Sequence, residues 1–207
     1  IRSDGRIRLN VPYRMNDGLA YKFLLEKSDW IKKHQKQSIL LRDGNRIGKF
    51  HTLRFVVSDS ETVKTRVTDN EIIIKLPPEV EYNSPEAQKK AKQACDKALL
   101  KEGSNLLPQR LDVLSKQHGI PYKSCKVKKL KSRWGSCDTN NDIVLNSYLI
   151  QLDWSLIDYV ILHELTHTLH KHHQPDFWQE LESFLPDFKQ RRKEIKQKAT
   201  EITPTTF

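Results

Sequence analysis

The chain is poor in cysteine, in glycine and in long apolar runs, and each shortage disfavours a class of protein. Three cysteines (Cys95, Cys125 and Cys137) are an odd number without C-x-x-C spacing, which argues against a disulfide framework and favours a reducing cytoplasm. No apolar run approaches the roughly 18 residues of a membrane span, and residues 1–5 lack the apolar segment of a signal peptide. The seven glycines form no glycine-rich phosphate loop.

Positive charge is in excess, with 36 Lys and Arg residues against 26 Asp and Glu residues, a net charge of +10. Such a balance is compatible with a polyanionic partner. The basic residues concentrate in segment 123–133 and in a C-terminal helical segment, 189–198. We interpret both clusters first as solvated faces, with weak nucleic-acid or nucleotide binding as the alternative.

The first 80 residues predict a β-rich module with one helix. Residues 6–11 alternate in polarity like an edge strand, and strands are expected at 50–57, 63–67 and 71–76. Asn16 or Asp17 would cap the helix, whose apolar face carries Leu19, Phe23, Leu24, Trp30 and Ile31.

Residues 81–207 predict a second, helix-rich domain. Ser84-Pro85 is a helix start and Gly103 a stop, and a second helix is expected at 107–117. Strands are expected at 125–130 and 143–146, joined by a turn at 137–141. A buried helix and a terminal helix, beginning at Pro175 or Asp176, complete the chain.

The most informative segment is His163–His167, which reads H-E-x-x-H. Residues four apart on a helix point to the same side, so two imidazoles at this spacing can bind one metal ion. Glu164 then lies close enough to polarise a water molecule at that metal. Ser155 and Asp158 form a start signal for the helix, and its apolar face consists of Leu156, Ile157, Val160, Ile161 and Leu165. Unpartnered histidines on a buried helix are costly, so we favour metal binding over two satisfied core histidines.

The third ligand must come from beyond the end of this helix. His173 lies six residues after His167, about 600° along an unbroken helix, so the helix must end near Leu169 or His170. Pro175 favours an ending before Gln174. We favour His173 over the rivals His170 and His172, with His170 as a substrate-facing or supporting group and His172 as a surface residue. Three protein ligands leave one tetrahedral position open, which is typical of one catalytic Zn²⁺ per chain.

Three segments of the chain occur together in a known family: Ser132-Arg133-Trp134-Gly135-Ser136-Cys137 with Ile143-Val144-Leu145-Asn146 downstream, the helix segment 157–165, and His173-Gln174-Pro175-Asp176-Phe177-Trp178. In this combination the chain resembles the YgjP-like metallopeptidases, relatives of the SprT and WLM zincins. The resemblance spans nearly the whole chain. It implies an α+β fold: a zincin-like catalytic domain with a small antiparallel sheet beside the active-site helix, preceded by the β-rich N-terminal module.

The resemblance also implies how a substrate binds. An edge strand above the metal can pair with an extended peptide, and residues 143–147 would be that strand. Trp134 and Gly135 are interpreted as a packed aromatic and a tight turn. A cation near the metal could bind a carboxylate or phosphate oxygen. The candidate substrate or oxyanion contacts are Arg133, Asn146, Tyr148 and His170.

The leading functional hypothesis is a cytoplasmic zinc metallopeptidase that acts on peptides or proteins, with Glu164 as general base. A nucleoside triphosphate pyrophosphatase with the same metal site is an alternative, in which Lys131 and Arg133 face a triphosphate. The missing phosphate loop counts against it. A third hypothesis is a basic DNA-associated protease or binding module.

Overall fold

The structure is a computed structural model that describes residues 8–13, 15–34 and 40–198. Contacts within the chain define two compact units, of which one is Leu40–Ile202 and the other contains the first two helices. By these contacts the chain divides near residue 40, and the strands before residue 80 belong to the same unit as the helices after it. The reason is that a single hydrophobic core joins the strands before residue 80 to the helices after it.

The first unit contains helices α1 (Asp17–Glu26) and α2 (Ser28–His34), where one helix was predicted. Asn16 is the N-cap, as predicted, and its Oδ1 accepts a hydrogen bond of 2.7 Å from the Gly18 amide. Lys27 is the C-cap of α1 and separates the two helices. Of the predicted strand at 6–11, residues 8–11 have no regular structure, and residues 6–7 lie outside the described residues.

The second unit begins with a four-stranded sheet of β1 (Arg46–Ile47), β2 (His51–Val57), β3 (Lys64–Val67) and β4 (Glu71–Leu76). The strand order is β1-β2-β4-β3, and β2 and β4 are parallel. The alternating apolar residues of β4 point into the core, where Ile72 and Ile74 are fully buried. The strand predicted at 71–76 is confirmed, and those predicted at 50–57 and 63–67 each begin one residue later.

Helix α3 (Pro85–His118) continues without interruption for 34 residues, about 50 Å, and packs against strands of both sheets. Ser84 caps its first turn, as predicted, but the predicted stop at Gly103 and the separate second helix are wrong. Gly103 is buried, and a Cβ atom there would lie 3.2 Å from Val127 Cγ1 and 3.4 Å from Ser147 Cα. Glycine at this position therefore allows close packing of the helix.

A buried carboxylate joins α3 to the first sheet. Glu102 accepts backbone hydrogen bonds from Lys49 (2.6 Å), Phe50 (3.1 Å) and His51 (3.2 Å). It also contacts Nδ1 of His51, whose Nε2 lies 3.0 Å from the carbonyl oxygen of Thr68. Both ring nitrogens of His51 thus face oxygen atoms that can accept hydrogen bonds.

The second sheet consists of β5 (Ser124–Lys128), β6 (Gly135–Cys137) and β7 (Asp142–Asn146), in the order β5-β7-β6. Strand β7 pairs parallel with β5 and antiparallel with β6, so the sheet is mixed rather than wholly antiparallel. The segment 143–147, predicted as the edge strand, is therefore central. The edge strand beside the candidate site is β6, which was not among the strands expected from the sequence pattern and which pairs antiparallel with β7.

A 3₁₀ helix (Ser147–Gln151) leads to α4 (Trp154–Leu169), α5 (Pro175–Phe184) and α6 (Phe188–Lys198). The predicted apolar face of α4 is buried, but the helix begins at Trp154, with Asp153 as its N-cap, and not at the predicted Ser155 signal. Asp158 instead accepts two hydrogen bonds of 2.7 Å from the Arg110 guanidinium on α3. Within the described ranges, no helix is both long enough and apolar enough to cross a bilayer.

Candidate metal centre

Three imidazoles converge at the end of α4. Nε2 of His173 lies 3.1 Å from Nε2 of His167 and 3.1 Å from Nε2 of His163. Two ligands about 2.05 Å from a tetrahedral zinc ion would be about 3.3 Å apart, close to this spacing. The donor set therefore fits a zinc ion, and among the described residues it is the one group of three or more potential ligands that could hold a metal.

Electrostatics keeps these rings in the form that binds metals. Burial, reinforced by the neighbouring imidazoles and Arg192, lowers the pKa of His163 to about 3. Burial also lowers the pKa of His167 and of His173. Neutral imidazoles have a lone pair available for a cation at physiological pH.

The end of α4 brings the third histidine back to the first two. The helix ends at Leu169, within the predicted range, and His170 is its extended C-cap. The His170 carbonyl oxygen lies 2.9 Å from Nδ1 of His167. A hydrogen on that Nδ1 leaves the lone pair of Nε2 free to face the centre.

In the segment His173–Trp178, the residues Pro175, Phe177 and Trp178 each have a structural role. Pro175 starts α5 at a place where no backbone N–H is needed. Phe177 is fully buried, and its ring centroid lies 4.6–5.0 Å from those of the three histidines. Trp178 stacks on His173 at 5.4 Å and donates from Nε1 to the His173 carbonyl at 3.2 Å. This segment therefore contributes one imidazole of the candidate metal centre, the apolar ring beneath it and a hydrogen bond that supports it.

Glu164 points away from bulk solvent beside these rings and is 5% exposed. Burial raises the pKa of its carboxyl group to about 8, while the nearby charge of Arg133 lowers it. A bound dication would favour the ionised form further. Gly135 on β6 allows this position, because a Cβ atom there would lie 2.7 Å from both Cγ and Oε1 of Glu164. The predicted tight turn is therefore a strand that touches the carboxylate.

Asn146 holds the loop that carries Arg133. Its fully buried amide donates to the carbonyl oxygens of Leu130 (3.1 Å) and Arg133 (2.9 Å), and its Oδ1 accepts from the Tyr148 amide (3.2 Å). All these contacts are within the chain, so in the structure Asn146 positions the loop, and its role as a substrate contact stays a prediction.

Tyr148 and His170 also have partners in the chain. The Tyr148 hydroxyl donates to Asp96 on α3, and its role as an oxyanion contact stays a prediction. Nδ1 of His170 lies 3.1 Å from Asp176 Oδ2, and Nδ1 of His172 lies 3.7 Å from Oδ1 of the same carboxylate. His170 therefore connects the loop between α4 and α5 to the first turn of α5, and its role in the site stays a prediction.

The cleft beside Glu164 contains cations that the sequence did not assign to the site. Its volume is about 270 Å³, and α4, α6 and the β6 segment form its walls. Arg133 was expected in this region, but Arg192 and Lys196 were interpreted as a solvated helix face. Their four-residue spacing on α6 was the available signal, but nothing local indicated which face of α6 meets the cleft.

The basic segment 123–133 does not form one free patch. Lys129 lies 2.5 Å from Asp96, and Lys123 lies 3.6 Å from Asp142. Lys126 and Lys128 are exposed on β5. Arg133 alone of this segment lines the cleft.

Comparison with known proteins gives one match over nearly the whole chain. Residues 1–198 match a family model described as YgjP-like, metallopeptidase domain. The chain is similar to the metallopeptidase zymogen jannalysin of Methanocaldococcus jannaschii, with 24% identity and a TM-score of 0.41 over 45% of this chain and 96% of that one. The abylysin zymogen of Pyrococcus abyssi gives 21% identity and a TM-score of 0.41 over 45% and 94%. No match was found among curated proteins.

Proposed function

The chain belongs to the YgjP-like metallopeptidase family, whose model matches residues 1–198, and from this premise we propose that it is a zinc-dependent peptidase. The proposed ligands of one Zn²⁺ per chain are His163, His167 and His173. The proposed general base is Glu164. The observation that carries the proposal is the approach of three neutral imidazoles to within 3.1 Å beside a buried glutamate.

The mechanism assigns the proton transfers to Glu164. Zinc bound at this site supplies a Lewis acid for the scissile carbonyl and the attacking water. The Glu164 carboxylate accepts a proton from that water as its oxygen bonds to the carbonyl carbon. It then gives the proton to the peptide nitrogen as the C–N bond breaks, which leaves a new carboxyl group and a new amine. Gly135 keeps the carboxylate in place during both steps because the strand backbone touches it.

The substrate peptide is proposed to bind along β6. This strand is at the edge of its sheet, and its first residue touches Glu164. An extended chain paired with β6 would satisfy the free backbone groups of the edge and pass next to the general base. This replaces the sequence-based assignment to segment 143–147, whose backbone is already paired on both sides.

Substitution of the base tests the proposal. Glu164→Gln has the same shape but cannot accept the proton, so casein hydrolysis should fall by more than about 100-fold. Zinc content, measured by metal analysis, should not change. Activity within tenfold of the parent would show that Glu164 is not the base.

A nucleotide hydrolase remains the second candidate, because Arg133, Arg192 and Lys196 line the cleft beside the metal site. A triphosphate could bind the same cations. Release of pyrophosphate from nucleoside triphosphates, measured beside casein cleavage on one preparation, separates the two activities. Pyrophosphate release without peptide cleavage would favour the second candidate.

A reducing compartment such as the cytoplasm is proposed for the protein. Cys95, Cys125 and Cys137 are all free thiols. Burial raises the pKa of Cys95 to about 12 and that of Cys125 to about 11, which suppresses the reactive thiolate at both positions.

A further inference from the structure

The cleft beside Glu164 has an unusual concentration of positive charge. Arg133 enters it from the loop before β6, and Arg192 and Lys196 enter it from α6. We propose that these three residues form a subsite for a substrate carboxylate, so that the enzyme prefers peptides with an acidic group next to the scissile bond. This inference rests on the proposed peptidase function and names its substrate class.

Arg192 packs against the aromatic residue that supports the proposed metal site. Its guanidinium carbon lies 4.5 Å from the centroid of the Trp178 ring, which in turn stacks on His173. A guanidinium stacked in this way keeps its N–H groups free at the edge for an anion. The charge of Arg192 is close enough to contribute to the lowered pKa of His163 and of His173. The subsite therefore adjoins the proposed metal ligands.

The other basic residues of α6 differ from these two. Lys189 pairs with Glu182, and Arg191 pairs with Asp187 and donates to the Ser155 carbonyl. In the part of the chain that the structure describes, neither Arg192 nor Lys196 has a carboxylate within 4.0 Å. The same holds for Arg133, whose charge nevertheless acts on Glu164. Three cations without acidic partners around one cleft attract a carboxylate, which can accept bidentate hydrogen bonds from an arginine.

The carboxylate could come from an Asp or Glu side chain or from the C-terminus of the peptide. If the subsite binds a side-chain carboxylate, cleavage is expected next to acidic residues anywhere in a peptide. A terminal carboxylate requires cleavage near the end, and amidation of that end should abolish the preference. Both sources offer the same charge and the same acceptor atoms to the subsite.

The test is a cleavage-site analysis on a mixed peptide library, followed by kinetics on matched peptides. Mass spectrometry maps the cleavage sites of the zinc-loaded protein. Two peptides that differ by Glu or Gln at the preferred position, and a third with an amidated terminus, then give kcat/KM. We expect the acidic peptide to be favoured by about tenfold at low salt, and by less at high salt because of screening.

The variants separate the subsite from the catalytic machinery. Arg192→Gln with Lys196→Gln should reduce the preference to about twofold or less, while the neutral peptide is still cleaved. Lys193→Gln removes one charge from the same helix outside the cleft and should leave the preference unchanged. Lys196→Gln alone leaves the Trp178 stack intact, so its partial loss of preference cannot come from a disturbed ligand. Zinc content is measured for each protein.

The outcomes decide between the two proposals. A wild-type protein that cleaves peptides without acidic preference overturns the subsite and leaves the peptidase standing. The same holds if the preference is unchanged in the double variant. Absence of any peptide cleavage by the zinc-loaded protein, with pyrophosphate release from nucleotides, overturns both proposals and assigns the cations to a phosphate chain.

Discussion

The contact between Gly135 and Glu164 leads to the sharpest prediction from the structure. In Gly135→Ala the new methyl carbon would lie 2.7 Å from Cγ and from Oε1 of the glutamate. Nonbonded carbon atoms prefer a separation of about 3.5 Å or more, so the glutamate or the strand must move by about 0.8 Å. Glu164 is buried and lines the cleft, so the displacement would shift its carboxylate from its present position beside the histidines.

A displacement of this size should affect catalysis far more than folding. Misplacement of a catalytic group by about 1 Å can cost about 100-fold in rate, so kcat/KM for a peptide should fall by about that factor in Gly135→Ala. The three histidines lie on α4 and on the segment before α5, so zinc content should not change. The free energy of unfolding should decrease by about 1–3 kcal/mol because of overpacking.

The assay compares kcat/KM, zinc content and urea unfolding for Gly135→Ala and a control. Gly119→Ala is the matched control, since a Cβ atom there meets nothing within 4 Å although the backbone is left-handed, with φ +67°. It should lose about 1 kcal/mol of stability and keep its activity. If Gly135→Ala kept kcat/KM within threefold of the parent, the proposed tight placement of the base would be refuted.

The other predictions concern the ligand set, the first sheet and pH. His173→Ala should weaken zinc binding by more than about 100-fold in a chelator competition, whereas His172→Ala should not, because its Nδ1 faces the Gln174 amide at 3.4 Å and Asp176 at 3.7 Å. Glu102→Gln should reduce the free energy of unfolding by about 3 kcal/mol in urea, because it leaves the buried His51 without its carboxylate, whereas Lys101→Gln, which breaks an exposed pair with Asp69, should change little. In metal-free protein the buried Glu164 carboxyl has a pKa of about 8, above its ordinary value of 4.5, so it favours the folded state when protonated and opposes it when ionised. The stability of the parent relative to Glu164→Gln should therefore fall as pH rises from about 4.5 to about 8, and a difference that stays constant with pH would contradict this placement.

Local patterns in the sequence predicted the helix of the site well. The apolar spacing of α4 requires only the geometry of one helix, and the end at Leu169 follows from the need to return His173 to His167. The same reasoning was wrong for α3, where Gly103 looks like a stop. Its packing against Val127 and Ser147, more than twenty residues away, keeps the helix continuous, and such contacts leave no local signal.

Strand pairing shows a second limit of local patterns. The alternation in 143–146 identifies a strand. An edge strand and a central strand differ only in the strands that lie beside them. Here a long connection that contains β6 joins β5 to β7, and the two strands pair in parallel, whereas strands joined by a tight turn pair antiparallel. Strand β6, with three residues, is too short to give a periodic signal. The edge that approaches Glu164 is therefore visible only in the folded chain.

The positive charge of the cleft could not be predicted from local patterns either, because nothing local indicates which face of α6 meets the cleft. A net charge of +10 is compatible with an anionic partner but does not say where one would bind. The fold separates the basic residues into two groups. Carboxylates of the chain pair with Lys129, Lys189 and Arg191. In contrast, Arg192 and Lys196 face the cleft beside Glu164. Cations that the chain neutralises contribute little to binding a substrate, so the excess that matters is the local one at the cleft. A charge reversal on Lys193 should therefore change the pI by as much as one on Lys196 but leave the choice of substrate unaltered.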